Sequence, residues 1–158
     1  MTSLTNFLVW LQGSALSHSI AQANHLLVAG LQIVHVIGLI LLLGPLLLIG
    51  LRVWGLVLRE QPFEEIVGQS LALASIGLTL SVSSGLLMFV SAPLHYYANW
   101  AFDTKMALLL AALIAYVLIF AWRAPQLRAQ TALTRVHILV SVTLWIFVCM
   151  AGRAIGFV

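Results

Sequence analysis

Residues 26–51 read LLVAGLQIVHVIGLILLLGPLLLIGL, and none of these side chains is Asp, Glu, Lys or Arg. A bilayer needs about 20 mostly apolar residues in an α-helix to span it, so the stretch is long enough to cross. A lone strand would leave its backbone polar groups unpaired in lipid, and the period-two alternation of a barrel strand is absent. The stretch therefore predicts a transmembrane helix. Further charge-free runs cover 66–94, 106–122 and 136–152. The last two are short, so they borrow flanking residues or let Lys105 and Arg135 reach up to the headgroups. Turn signals at Gln61-Pro62, Ala92-Pro93 and Ala124-Pro125 separate the runs. The reading is one transmembrane domain over 1–158, all-α, an integral membrane four-helix bundle with spans of about 26–51, 66–94, 105–122 and 136–153.

Composition agrees with this. Hydrophobic residues make up 63% of the chain and charged residues 7%, against roughly 45–50% and 25% in soluble domains. So few charges cannot solvate a soluble surface, which excludes a cytosolic enzyme and a disordered chain. Cys149 is the single cysteine and cannot close an internal disulfide. The net charge is +3, but the basic residues are spread singly and form no nucleic-acid patch.

The cations predict orientation. Arg52 and Arg59 follow the first span, and Arg123, Arg128 and Arg135 lie between the third and fourth. These two connections share a side and hold five of the seven Lys/Arg residues. The positive-inside rule makes that side cytoplasmic, so both termini and the 95–104 loop face the periplasm. The first 51 residues lack the basic start of a cleaved signal peptide, and the first span is expected to be retained. Before it, Leu4, Phe7, Leu8 and Leu11 form one stripe of a helix over 3–12, with Trp10 suited to headgroup depth. An interfacial helix on the outer surface is expected there.

An ionisable group at membrane depth is costly and needs a partner. His35 lies nine residues after Leu26, ~13 Å below the outer boundary at 1.5 Å per residue. Its partner is either a Ser hydroxyl or carbonyl on the next helix, or a metal. Met88 falls in the same outer half with Ser84 one turn deeper, as do Lys105, Met106, Cys149, Met150 and Arg153. His18, His25 and His95 lie on the outer side, and only His137 is near the cytoplasmic end. Imidazole with thioether or thiolate suits haem iron or copper. His18 and His25, seven apart, share a helix face if that stretch is helical. The segment from His95 to Lys105, rich in aromatics, reads as an interfacial belt or as a lid carrying His95 as a ligand. Asp103 is placed to cap the third helix. Arg153 is placed to pair with Asp103 or to hold an anion such as a haem propionate, a quinone oxygen or a lipid phosphate. Gly30, Gly38, Ser81, Ser84 and Gly85 mark close helix contacts, and Pro45 a kink. No nucleophile system, paired catalytic carboxylates or phosphate loop is present; Glu60, Glu64 and Glu65 read as solvated loop charge.

His35-Val36-Ile37-Gly38, Leu51-Arg52-Val53-Trp54-Gly55, Ser84-Gly85-Leu86-Leu87-Met88-Phe89, the run from Tyr97 to Lys105, and Gly152-Arg153 cover nearly the whole chain in order. With them the chain resembles an uncharacterised bacterial family of four-helix inner-membrane proteins. Gly50 stands where that family often has Asp. More distantly, the first-helix His with a following Gly and the Lys opening the third helix are similar to the copper-resistance-D family and to the HemJ protoporphyrinogen oxidase family, whose members use a membrane histidine with haem. The resemblance carries over His35, Lys105 and Arg153.

These readings lead first to a b-type haem electron-transfer protein of the inner membrane, exchanging electrons with quinone or a periplasmic partner near the outer side. His35 is one axial ligand; His95, His25 or Met88 is the other; Lys105 and Arg153 face propionates or a quinone anion. A second reading is copper handling through His35, Met88, Met106, Cys149 and Met150. A third is a non-catalytic subunit that anchors partner subunits of a larger membrane complex.

Overall fold

A computed structural model describes residues 3–22, 25–121 and 131–157. In chain order it contains α1 (Ser3–Gln12), α2 (Ala15–Ala21), α3 (His25–Val53), α4 (Phe63–Ser91), α5 (Pro93–Tyr97), α6 (Trp100–Ala121), α7 (Ala132–Ala154) and a closing 3-10 turn (Ile155–Phe157). No strand occurs among the described residues. Four helices are long and apolar enough to cross a membrane: Leu26–Val53, Phe63–Ser91, Trp100–Ile119 and Ala132–Phe157. The chain is a multi-pass, all-helical membrane protein. Trp122, Arg123 and Arg128, used in the span and orientation readings, lie outside the described residues.

The bundle is built from two antiparallel hairpins. α3 packs most extensively on α4 and α6 on α7, while contacts between α3 and α7 join the pairs. Large aliphatic side chains such as Ile40, Leu86, Leu110 and Val117 point outward. Ser70, Ser81, Ser84, Thr134 and Ser141 are buried. Small hydroxyl residues inside and branched aliphatics outside is the distribution lipid favours, since close helix approach, rather than apolar burial, distinguishes the interior.

Gly38 and Gly77 set the α3–α4 distance. A Cβ on residue 38 would stand 2.6 Å from the Ser81 nitrogen, and one on residue 77 would stand 2.5 Å from the Leu42 nitrogen and 2.6 Å from the Gly38 oxygen. The two backbones therefore meet with no side chain between them. α3 runs through Pro45 and stops at Val53. The Leu56 nitrogen bonds the Leu51 oxygen at 2.9 Å and the Gly55 nitrogen bonds the Arg52 oxygen at 3.0 Å, with Gly55 at φ +70°. This Schellman ending needs the left-handed conformation glycine tolerates. Arg52 Nη2 donates to the carbonyls of Arg59 and Gln61 at 3.2 Å each. Backbone oxygens thus serve the guanidinium, and a Cβ at residue 50 would stand only 3.3 Å from Ile138.

Three element boundaries differ from the sequence expectation. The second span ends at Ser91, because Ala92-Pro93 breaks it and Pro93 opens the separate α5. The third begins at Trp100, so Lys105 lies in its second turn and does not open it. Its cap is Asn99 and not Asp103: Asn99 Oδ1 accepts from the Ala101 nitrogen at 2.9 Å. The fourth begins at Ala132 behind Thr131, whose hydroxyl accepts from the Thr134 nitrogen. The 3–12 helix is found as expected, with Leu8 buried on the bundle and Phe7 and Trp10 exposed; α2, capped by the Ser14 hydroxyl, was not anticipated.

Asn99 also donates from Nδ2 to the Ile155 carbonyl at 3.2 Å, tying the α5–α6 turn to the end of α7. Asn99→Ala removes a buried cap and this cross-link together. The expected loss is about 1–2 kcal/mol, read as a lower thermal midpoint in detergent, with Asn99→Asp, which keeps the capping oxygen, recovering part of it.

Candidate functional site

The site lies at the end of the bundle that carries Pro93. The Gly38–Gly77 crossing holds α3 against α4, and one turn further along His35 meets Ser81, Ser84 and Gly85. His35 Nδ1 is 2.8 Å from the Ser81 carbonyl oxygen and 3.2 Å from Ser84 Oγ. A carbonyl only accepts, so Nδ1 carries the proton and donates. The Ser84 hydroxyl is itself turned to donate to the Leu80 carbonyl at 2.6 Å. In the neutral ring this assigns the free lone pair to Nε2, which has no hydrogen-bond partner among the described residues. A Cβ at residue 85 would stand 3.1 Å from His35 Cε1, so Gly85 is what lets the ring lie flat against α4. The expected partner on the next helix is thus found, and it is mainly a backbone carbonyl.

Lys105 reaches the same region from α6. Its Nζ would lie 3.2 Å from a Cβ at residue 152, so its chain rests on the bare surface that Gly152 leaves on α7. The half-buried ammonium has no hydrogen-bond acceptor among the described residues. It is close enough to His35 and to the half-buried Cys149 to act on both electrostatically. Met88, half-buried, follows Ser84 by one turn on α4. His35, Lys105, Cys149 and Gly152 thus bring α3, α6 and α7 together, with α4 as the wall behind the imidazole.

Other expected members stand apart. His95 is exposed on α5, its ring edge-on to Tyr96 at 5.7 Å, and nothing ties it to His35. Tyr96 instead joins Phe89 and Phe102, which stack at 5.4 Å, in an aromatic cap over this end. Burial pushes the Tyr96 phenol above its ordinary value, keeping it protonated. Arg153 is exposed and lays its guanidinium over Phe157 at 4.3 Å; it forms no ion pair with Asp103. His25 opens α3, and its side chain lies outside the described residues. His18 is exposed. Met106 and Met150 are 44% and 64% exposed, so they face away from the bundle and the soft donors do not form one cluster. No group of three His, Cys, Asp or Glu side chains suited to a metal ion occurs among the described residues.

At the opposite end a groove of about 370 Å³ opens between α3 and α4, lined by Pro45, Leu48, Gln61, Ser70 and Leu73 among others and by no titratable side chain. His137 at that end bonds through Nε2 to the Ala115 carbonyl at 3.1 Å. Nearer mid-bundle the Tyr116 hydroxyl and Ser75 Oγ are 2.8 Å apart, linking α6 to α4. His35, Lys105 and Cys149 therefore come together at the Pro93 end. Gly85 and Gly152 were the sequence signals for it; only the first was read as a contact.

No curated protein and no solved structure matches the chain. One family model does, over residues 7–158, and it is described as a family of unknown function, DUF6644. That match takes in all but the first few residues, every spanning helix and the whole His35–Lys105 region, and the chain belongs to this family.

Proposed function

We propose that the chain is a b-type haem electron-transfer protein of the bacterial inner membrane, with His35 as an axial ligand. The observation that carries the reading is the Nδ1–H bond from His35 to the Ser81 carbonyl. Histidines that hold metals nearly always donate their other ring proton to a carbonyl, carboxylate or water, which fixes the tautomer and makes the free nitrogen a better donor. Lys105 offers an ammonium with no acceptor among the described residues, suited to a propionate carboxylate. Met88 is the thioether on the wall that carries Ser81 and Ser84. Bound there, haem would supply reversible one-electron iron chemistry. The chain's part is to hold the imidazole by Ser81 and Gly85, to keep water out with aliphatic helix surface, and to set the local charge through Lys105. His95 and Arg153 are exposed at the same end of the bundle and take no part in holding the imidazole.

Likeness of His35 to the membrane histidine of the copper-resistance-D and HemJ families supports the same choice, while Lys105, in the second turn of α6, departs from their helix-opening lysine. Copper fits less well, because Met106 and Met150 face outward. Arg52, Arg59 and Arg135 collect at the end opposite His35. By the positive-inside rule that end is cytoplasmic, which puts the site and both termini on the periplasmic side, within reach of quinone or a periplasmic partner.

The test is the spectrum of the whole chain, purified in mild detergent from haem-replete bacterial membranes. A reduced-minus-oxidised difference with Soret and α bands and one haem per chain is expected. A colourless, copper-loaded protein overturns the reading. So does a colourless, metal-free protein that copurifies with other chains, which would favour an anchoring subunit.

A further inference from the structure

α7 carries two polar atoms that are sealed from solvent and have no hydrogen-bond partner among the described residues: Ser141 Oγ and Trp145 Nε1. Ser141 is 0% exposed and Trp145 is 1% exposed. They are four residues apart and therefore on one face of the helix, with about 5–6 Å between Cβ atoms. The surroundings are apolar: Trp145 belongs to the core cluster with Leu42, Leu46, Ala112 and Val148. On the outer face of α4, hydroxyls that reach no other helix turn back on their own carbonyls, as Thr79 does to Ser75 and Ser83 to Thr79. Ser141 does not. An indole N–H has no such recourse, because it only donates and its ring is fixed by packing. Phenylalanine would fill most of this space with no polar atom to satisfy.

An unmet buried donor costs about 1–3 kcal/mol by mutational measures and more in hydrocarbon. Two in adjacent turns, aimed from one face, identify a place for a small molecule that both accepts and donates. We propose that the bundle core binds an internal water between Trp145 Nε1 and Ser141 Oγ at mid-membrane. The indole N–H donates to the water oxygen. One water hydrogen goes to Ser141 Oγ and the second to a helix carbonyl, giving the two to four partners a buried water needs. Cys149 lies one turn beyond Trp145 toward Lys105, and His137 one turn before Ser141. The water therefore occupies the middle of a polar file along α7, between the two ends of the bundle. This assignment stands whether or not a prosthetic group binds at His35.

The test is solution NMR on the full chain in detergent micelles with the indole nitrogens labelled. The five tryptophans give separate indole signals, and Trp145→Phe identifies the buried one. If that variant does not fold, replacing the other four singly identifies it by elimination. The expected result is a through-space cross-peak from the Trp145 indole proton to the water resonance, lost in Ser141→Ala and kept in Ser141→Thr. Absence of a water cross-peak in the native chain overturns the proposal. A cross-peak to the Ser141 hydroxyl alone also overturns it, because the two side chains then satisfy each other directly. A water cross-peak unchanged in Ser141→Ala overturns the bridging role of Ser141.

Discussion

Gly77→Val is expected to prevent α3 and α4 from closing, while Gly68→Val on the same helix leaves the protein nearly unchanged. The two substitutions add the same atoms to the same element. At residue 77 the first added carbon would meet the Leu42 nitrogen at 2.5 Å, the Gly38 oxygen at 2.6 Å and the Leu41 carbonyl carbon at 2.7 Å. All three are backbone atoms of a continuous helix, so no side chain can swing aside. At residue 68 nothing lies within 4 Å of the added carbon. Overpacking in a core usually costs about 1–3 kcal/mol, with the upper part of the range where backbone must shift. Here the shift also separates His35 from Ser81 one turn away, which removes the 2.8 Å bond that orients the ring. Gly77→Val should therefore lose most of the monodisperse protein recovered from detergent, and what remains should unfold at a clearly lower temperature. Equal behaviour of the two variants in size-exclusion profile and thermal midpoint would show that the α3–α4 crossing does not set the bundle.

The parts legible in the sequence are those fixed by transfer energetics along one helix. Residues 26–51 could be read because any charged side chain in lipid is costly and none is present; depth followed from counting residues, which put His35, Met88, Lys105 and Cys149 in one half. Rotation could not be read. α3 and α6 are apolar almost all round, so nothing in them distinguishes the face that meets a neighbour from the face that meets lipid. Met106 and Met150 share the depth of Lys105 and Cys149 yet point outward, which depth alone does not show. The Ser81 partner of His35 is a main-chain oxygen, and a main-chain group has no residue-type signature; only Gly85 and the serines beside it hinted that α4 comes close. The third helix starts at Trp100 because Asn99 supplies a cap. Charge alone suggested 105, since Asp103 and Lys105 read as boundary residues although a first and second turn near the headgroups tolerate both.

His35→Ala and Lys105→Met should have separable consequences, and the difference tests the roles given to each. Removing the imidazole deletes the nitrogen proposed to hold iron, so His35→Ala is expected to purify without Soret absorbance. The fold should persist. Ser81 keeps its place in α4, and one lost side-chain bond is worth only about 0.5–1.5 kcal/mol. Lys105→Met is close in length and leaves His35 bonded to Ser81, so colour should remain. What changes is charge: an ammonium near the iron favours the electron-rich, reduced state. At an effective dielectric near 20, a unit charge ~10–20 Å away contributes roughly 1–2 kcal/mol, or tens of millivolts for a one-electron couple. The midpoint potential of Lys105→Met should fall by that order, with Lys105→Arg remaining near the native value. Retention of the full spectrum in His35→Ala would remove His35 from the coordination sphere. An unchanged potential in Lys105→Met, with His35→Ala colourless, would keep the histidine ligand and show that the lysine rests on Gly152 for packing alone.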